Sequence, residues 1–241
     1  MPERSGAIIK MLSKNEIKDI KALGQKKFRD ERGLFVVEGE KLVEEALRSG
    51  LDVVAHYRIE DIGETAMARI SQLTHPSPAL AILRQPTPET PQIAPDELVL
   101  ALDGIRDPGN LGTIIRIADW FGIHHILASE DTVDCYNPKV VQATMGAIFR
   151  VRIHYGHLAS SLKCPAVYGT FLDGQNIYET ELTAGGIIVM GSEAHGISPE
   201  VAQTVTHRLF IPPFPADTRT SESLNVAVAT AITCAEFRRR K

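Results

Sequence analysis

The sequence predicts an α/β protein in two parts: a small N-terminal α/β unit, then a larger unit built on a parallel sheet. Three observations carry this. The stretch Gln85 to Glu97 (QPTPETPQIAPDE) holds Pro86, Pro88, Pro91 and Pro95, each of which fixes its own φ and biases the preceding residue away from helix. It reads as a stiff, extended connector, dividing the 241 residues into a part at 1–90 and a part at 98–241 with a linker at about 85–97. Beyond it, short apolar runs alternate with helix-length segments about six times, the pattern of parallel strands covered on both faces. With 44% hydrophobic and 23% charged residues, both parts have the material for a core, and disorder is excluded.

In the first part, Ser13 to Lys27 reads as a helix. Ser13 is placed to cap it, Glu16 follows three residues on, and Ile17, Ile20 and Leu23 form an apolar stripe between lysines. Leu34 to Val37 reads as a strand, Glu40 to Leu47 as a helix, and Val53 to Tyr57 and Leu80 to Leu83 as further strands around a helix near Glu64 to Leu73. In the second part Leu98 to Leu102 is apolar throughout, as a central parallel strand requires. Strands are expected at His125 to Ala128, Phe149 to His154, Ala166 to Phe171, Ile187 to Met190 and Arg208 to Ile211. Helices fit Leu111 to Phe121, Pro138 to Met145, Pro199 to Gln203 and Leu224 to Arg239.

The net charge of -4 speaks, as an average, against a protein that coats nucleic acid. The average hides basic ends (+2 over residues 1–50, +3 over 207–241) around an acidic middle (-9). Residues 4–32 alone carry nine basic and four acidic side chains, and attraction to phosphate follows such local fields. Cys135, Cys164 and Cys234 lie far apart with no CxxC pair, which argues against a disulfide framework or structural zinc. His124 and His125 read as the start of a strand, and no metal is expected. No apolar run approaches the roughly 18 residues of a membrane span, and no signal-peptide core follows the first charges. A soluble cytoplasmic protein is expected.

In a parallel sheet ligands bind at the loops leaving the carboxyl ends of the strands, and three such loops stand out. The first is DGIRDPGNLG (103–112), followed by TIIRIADWFG. Asn110 is placed to cap the next helix, and Arg116 lies nearly two turns further along it. The second is VMGSEAHG (189–196), with Glu193 between Gly191 and Gly196. It is neither a GxGxxG fingerprint nor a P-loop, since Ile197 and Ser198 follow Gly196 where Lys and Ser/Thr would be needed. The third is IPPFPADTRTSESLN (211–225), running into the alanine-rich VAVATAITCAEF. Ser221 is a candidate helix cap, and the Asn225 amide, at the mouth of an apolar helix, must find partners. Each loop alone is also what an ordinary strand-to-helix turn looks like.

In this order and spacing the three loops resemble the signature motifs of the SpoU/TrmH branch of the SPOUT RNA methyltransferases. DPGNLGTIIRIA matches the first, GSEAHG the second, and IPPF through SLNVAVATAI the third. The first part, through KKFRDERGLFVVEGEKLVEEAL (26–47), is similar to that branch's ribosomal-protein-like substrate-binding domain. The resemblance implies transfer of a methyl group from S-adenosylmethionine to a ribose 2'-hydroxyl of ribosomal or transfer RNA, by a homodimer. It also implies a deep trefoil knot in the C-terminal SPOUT domain, a topology so rare that only a family resemblance would suggest it.

Residue by residue, it implies that Thr170, Gly174, Met190, Gly191, Gly196, Ile211 and Leu224 hold the cofactor. Asn110, Arg116, Glu193, Ser223 and Asn225 would surround the transfer site. There a guanidinium, with a pKa above about 12, makes a poor base; holding RNA phosphate or stabilising a developing alkoxide suits Arg116 better. Glu193 would hold Arg116 or a cofactor amine. The sequence departs from the family pattern in its third motif, where Pro212, Pro213 and Pro215 replace a flexible glycine stretch and the interval to Asn225 is about four residues longer. A remodelled loop is expected there. The alternative reading is an RNA-binding protein with an inactive methyltransferase domain; a dehydrogenase-like nucleotide fold lacks its glycine fingerprint.

Overall fold

The computed structural model describes residues 11–91, 93–94, 96–215 and 222–239. Ser13 opens α1 (Lys14–Ala22) with a full capping box: its hydroxyl accepts from the Glu16 amide at 3.2 Å and its own amide donates to Glu16 Oε2 at 2.7 Å. The helix stops five residues earlier than expected. Its last turn closes through the amides of Leu23 and Gly24 on Ile20 O and Lys21 O, and Gln72 Nε2 donates to the same two carbonyls (3.1 and 3.3 Å). A second helix, α2 (Lys26–Arg32), follows and closes on Gly33 at φ +62.

β1 (Leu34–Glu38), α3 (Glu40–Arg48), β2 (Val53–Arg58), α4 (Ile59–Ile62), α5 (Glu64–Ile70) and β3 (Ala79–Arg84) complete a three-stranded antiparallel sheet of order β1-β3-β2. Its central strand shows the period of two that burial on both faces demands. Leu80 and Ile82 face α1 and α5, packing with Ile17, Ile20, Met67 and Ile70, while Ala79, Ala81 and Leu83 join Phe35, Val37, Leu42 and Val43 on the other face.

The second unit begins at Pro88 and centres on six strands, all paired in parallel, in the order β6-β5-β4-β8-β7-β9. They are β4 (Leu98–Asp103), β5 (His125–Ser129), β6 (Arg152–Gly156), β7 (Val167–Asn176), β8 (Gly186–Gly191) and β9 (His207–Phe210). The helices of this unit are α6 (Pro108–Trp120), α8 (Leu158–Ser161), α9 (Pro199–Ala202) and α10 (Val226–Arg239). Val99, Ala101, Ile187 and Val189 bury one face of the central strands against Leu158, Leu162 and Val201. Among the described residues no helix is long and apolar enough to cross a membrane, and no group of three or more His, Cys, Asp or Glu is disposed to hold a metal.

Two expectations change. The division of the chain is not a single cut: Tyr136–Phe149, including α7 (Pro138–Thr144) and a 3-10 turn at Ala147–Phe149, belongs to the first unit. There Val141 enters the core with Phe35 and Leu83, and the Tyr136 ring lies 4.6 Å from that of Phe35. β6 accordingly starts at Arg152 rather than at 149. The basic C-terminal tail is also partly committed. Arg238 donates to Phe121 O (2.8 Å) and Gly122 O (3.2 Å), and Arg239 pairs with Glu236 at 2.7 Å. Arg240 and Lys241 lie outside the described residues.

Candidate active site

The chain leaves β4 toward β5 and β6 on one side and later returns to fill the other side with β8, β7 and β9. The order therefore reverses between β4 and β8, the switch point at which open α/β sheets form their ligand crevices. The first and second loops leave these two strands, and the third leads into α10.

Asp107, not Asn110, caps α6: its Oδ1 accepts from the Asn110 amide at 2.8 Å, with Pro108 at the first helical position. Asn110 becomes the third residue of the helix, which frees its side chain. Asn225 caps α10, its Oδ1 accepting from the amides of Ala227 (3.0 Å) and Val228 (3.3 Å); Ser221, the alternative cap, lies outside the described residues. Because the Asn225 oxygen faces the helix, its nitrogen must face away. Nδ2 donates to Glu193 Oε1 at 2.8 Å and to Asn110 Oδ1 at 3.0 Å, and Asn110 Nδ2 donates to the same Glu193 oxygen at 2.7 Å. Side chains from positions 83 and 115 residues apart thus close a ring of three hydrogen bonds. Two helix N-termini, those of α6 and α10, converge on one carboxylate, whose negative charge they favour.

Glu193 does not meet Arg116. Arg116 is exposed on α6, six residues beyond Asn110 and so about 9 Å further along the axis. It is one turn from Trp120, which is 84% exposed. Ser223 is exposed two residues before Asn225.

Of the positions expected to hold the cofactor, Thr170, Met190 and Ile211 lie on or just beyond the neighbouring strands β7, β8 and β9. Gly169 pairs with Val189, which sets Thr170 beside Met190, and Thr170 pairs with Leu209 of β9, two residues before Ile211. Thr170 Oγ1 lies 3.7 Å from the buried Met190 sulfur. Gly191 and Gly196 close the second loop on itself through the paired amides and carbonyls of Ser192 and Gly196 (3.0 and 2.8 Å). A Cβ at Gly191 would strike the Gly196–Ile197 peptide, and Gly196 has φ +67 with open space where its Cβ would be. Gly174 is required by the fold, since a Cβ there would collide with the Leu209 backbone. Leu224 is 47% exposed. Gly191 and Gly196 leave the loop after β8 bare of side chains, and the half-buried Ile211 and exposed Leu224 offer apolar surface; such positions fit a group held by backbone and apolar contact.

A cleft of about 320 Å³ opens at the ring, and of the seven expected cofactor positions only Gly196 lines it. It lies over β5, β4 and β8, bounded by Arg106, Asp107, Asp131, Glu193 and Val226. Arg106 Nη2 donates to Asp131 Oδ2 at 2.9 Å and Ser129 Oγ to Oδ1 at 2.7 Å. These bonds hold the Asp131 carboxyl below its ordinary range, the serine bond most strongly. The motifs did not single out Arg106 and Asp131; they become visible only when β4 and β5 are set side by side.

The matches to known proteins make the protein built on this parallel sheet, with its polar ring at the switch point, an S-adenosylmethionine-dependent RNA 2'-O-ribose methyltransferase of the SPOUT class. Residues 97–235 match the SpoU rRNA Methylase family and residues 14–72 the MRM3-like substrate binding domain. The chain is 30% identical to the 23S rRNA (guanosine(2553)-2'-O)-methyltransferase RlmP of Bacillus subtilis, over 93% of this chain and 96% of that one. Among solved structures, one from Porphyromonas gingivalis described as of the TrmH family is 40% identical with a TM-score of 0.87, covering 96% of this chain and 100% of that chain. An AdoMet-bound rRNA methyltransferase from Sinorhizobium meliloti is 30% identical with a TM-score of 0.84, covering 96% and 98%. The chain belongs to the SpoU rRNA Methylase family.

Proposed function

We propose that this chain methylates the 2'-hydroxyl of a guanosine ribose in large-subunit ribosomal RNA, working as a homodimer in the cytoplasm. The observation that carries the reading is the Asn110–Glu193–Asn225 ring. Exposed polar contacts of charged groups add little to stability, about 0.2 to 1 kcal/mol, so a ring joining three loops at this place is better accounted for by work on a ligand than by holding the fold. Such a ring can orient a ribose hydroxyl in line for transfer. The cofactor supplies a methyl already activated on a sulfonium, and Thr170, Met190, Gly191, Gly196, Ile211 and Leu224 would hold it, with Gly174 keeping β7 close to β9. The knot belongs to this reading, with the segment into α10 returning to α6 at Asn110.

Arg116 acts on substrate through its charge, on a phosphate or a developing alkoxide. It shares the exposed face of α6 with Trp120; Val228 of α10 and Leu224, two residues before that helix, are 48% and 47% exposed. A second copy covering this apolar face buries Trp120 and carries each Arg116 toward its neighbour's ring. Residues 1–90 are the RNA-binding part: Lys14, Lys18, Lys21, Lys26 and Lys27 are exposed on α1 and α2, whereas Arg29 is buried. Guanosine and the large subunit come from the named activity of the Bacillus relative. Three free cysteines suit a reducing compartment.

The test is methyl transfer to unmodified 23S rRNA transcript with mapping of the product, next to calorimetric titration of S-adenosylmethionine. The expected result is micromolar cofactor binding and one ribose-methylated guanosine, lost by about a hundredfold or more in Arg116→Ala with cofactor affinity kept within a few-fold. No binding at millimolar cofactor would refute the enzyme in favour of an inactive RNA-binding protein.

A further inference from the structure

We propose that the cleft beside the ring receives the base of the target nucleotide, and that Arg106, positioned by Asp131, reads the O6/N7 edge of a guanine there. The inference rests on the methyltransferase reading above and adds the site that selects the base.

The placement comes first. Glu193 both closes the ring and lines the cleft, and Asp107 and Val226, which also line it, are the α6 cap and the residue after Asn225. A ribose held at the ring therefore has its base within one nucleotide's reach of the cleft. At about 320 Å³ the space sits at the low end of the roughly 300 to 1,000 Å³ of small-ligand pockets, enough for one nucleobase. Of the seven expected cofactor positions six do not line this cleft, and only Gly196 touches both. In single-stranded RNA, recognition works on bases splayed out of the stack, and a ribose drawn into a cleft for in-line attack brings its base with it.

The chemistry comes second. Arg106 is 73% exposed and gives one Nη2 hydrogen bond to Asp131, which orients the planar fork while other N–H donors face outward. Asp131 is itself anchored by Ser129 Oγ. An arginine fork on the O6 and N7 acceptors is the commonest specific contact to guanine; adenine presents an amino group at the same edge and would meet a donor with a donor. Exposed Pro199, with the buried Val226 and Ile105 behind it, supplies the apolar part of the lining. Gly104, at φ +71, runs beneath the pair, and a Cβ there would sit 3.4 Å from Asp131 Oδ2.

The experiment measures kcat/KM on 23S rRNA transcripts made with GTP or with 7-deaza-GTP, for the wild type, Arg106→Ala and Asp131→Asn. S-adenosylmethionine affinity and Tm are followed in parallel. Arg106→Ala is expected to lower kcat/KM on normal RNA by roughly tenfold to a hundredfold, leaving cofactor affinity within twofold. Asp131→Asn should give a smaller loss of the same kind. The wild type should lose activity on 7-deaza RNA, and Arg106→Ala should lose no more on it, because the contact to N7 is already gone. Equal kcat/KM in wild type and Arg106→Ala, losses from mutation and analogue that simply multiply, or a fall in cofactor affinity would each overturn the proposal. A wild type that methylates neither transcript would instead refute the parent reading.

Discussion

Arg29 and Glu38 in the N-terminal unit are 1% and 4% exposed, and their polar atoms are used inside the fold. Arg29 Nη1 donates to Leu23 O at 2.9 Å, the Glu38 carboxylate accepts from Ser71 Oγ at 2.7 Å, and it also accepts from the Gln72 amide. Asn110, half-buried, and Glu193 and Asn225, exposed, are as well bonded in the C-terminal unit but lie at the carboxyl end of a parallel sheet, open to solvent. The first set is buried polar chemistry that fastens loops to an antiparallel sheet. The second is polar order at a place where the fold gains little from it. Bonding alone does not mark a functional group; bonding without burial, at a switch point, does.

That contrast can be broken in the N-terminal unit by Glu38→Ala. It leaves the Ser71 hydroxyl and the Gln72 amide without their charged acceptor, and should cost about 2 to 3 kcal/mol in urea unfolding while cofactor affinity stays unchanged. A loss below about 0.5 kcal/mol would mean that burial is no guide to structural roles here.

A smaller effect is expected at the edge of the parallel sheet. There His154 Nε2 meets His125 Nδ1 at 3.0 Å and His154 Nδ1 contacts Glu89 O at 3.2 Å, with Arg152 and Glu97 also near the pair. Burial, ahead of the neighbouring cations, pushes the His154 pKa below its ordinary 6.5, although the Glu89 carbonyl raises it. The unfolded chain then takes up the proton first. The contribution of His154 is fully present above pH 6.5 and is lost as pH falls from there toward the lowered folded value. Tm should therefore drop between pH 7.5 and 5.5, and His154→Gln should flatten that slope. An unchanged slope would remove His154 as its source.

Much of the catalytic unit is legible in the residues. Uniformly apolar runs such as Leu98–Leu102 and Ile187–Met190 announce central parallel strands, and the order of three loops announces the family. Where local pattern competes with distant contacts it misleads. α1 ends at Ala22, where distant Gln72 bonds its last carbonyls, and α7 looks like an ordinary helix of the second part until Val141 and Tyr136 are found packed on Phe35. Asn110 is a plausible cap by composition, but Asp107 takes that place and sends the Asn110 amide toward Glu193. That Glu193 would bond two amides rather than Arg116 depends on α6 and α10 starting side by side, which no local spacing encodes. Arg106 and Asp131 are invisible for the same reason: they meet only across β4 and β5.

The central claim is that the ring of Asn110, Glu193 and Asn225 serves transfer and not stability, and Asn225→Ser tests it most directly. Serine keeps an acceptor for the start of α10 but has no amide to bridge Glu193 and Asn110. Single-turnover methyl transfer to 23S rRNA transcript should fall by about a hundredfold, with Tm within about 2 °C of wild type and S-adenosylmethionine affinity within a few-fold. Transfer at the wild-type rate by a normally folded, cofactor-binding Asn225→Ser protein would contradict it.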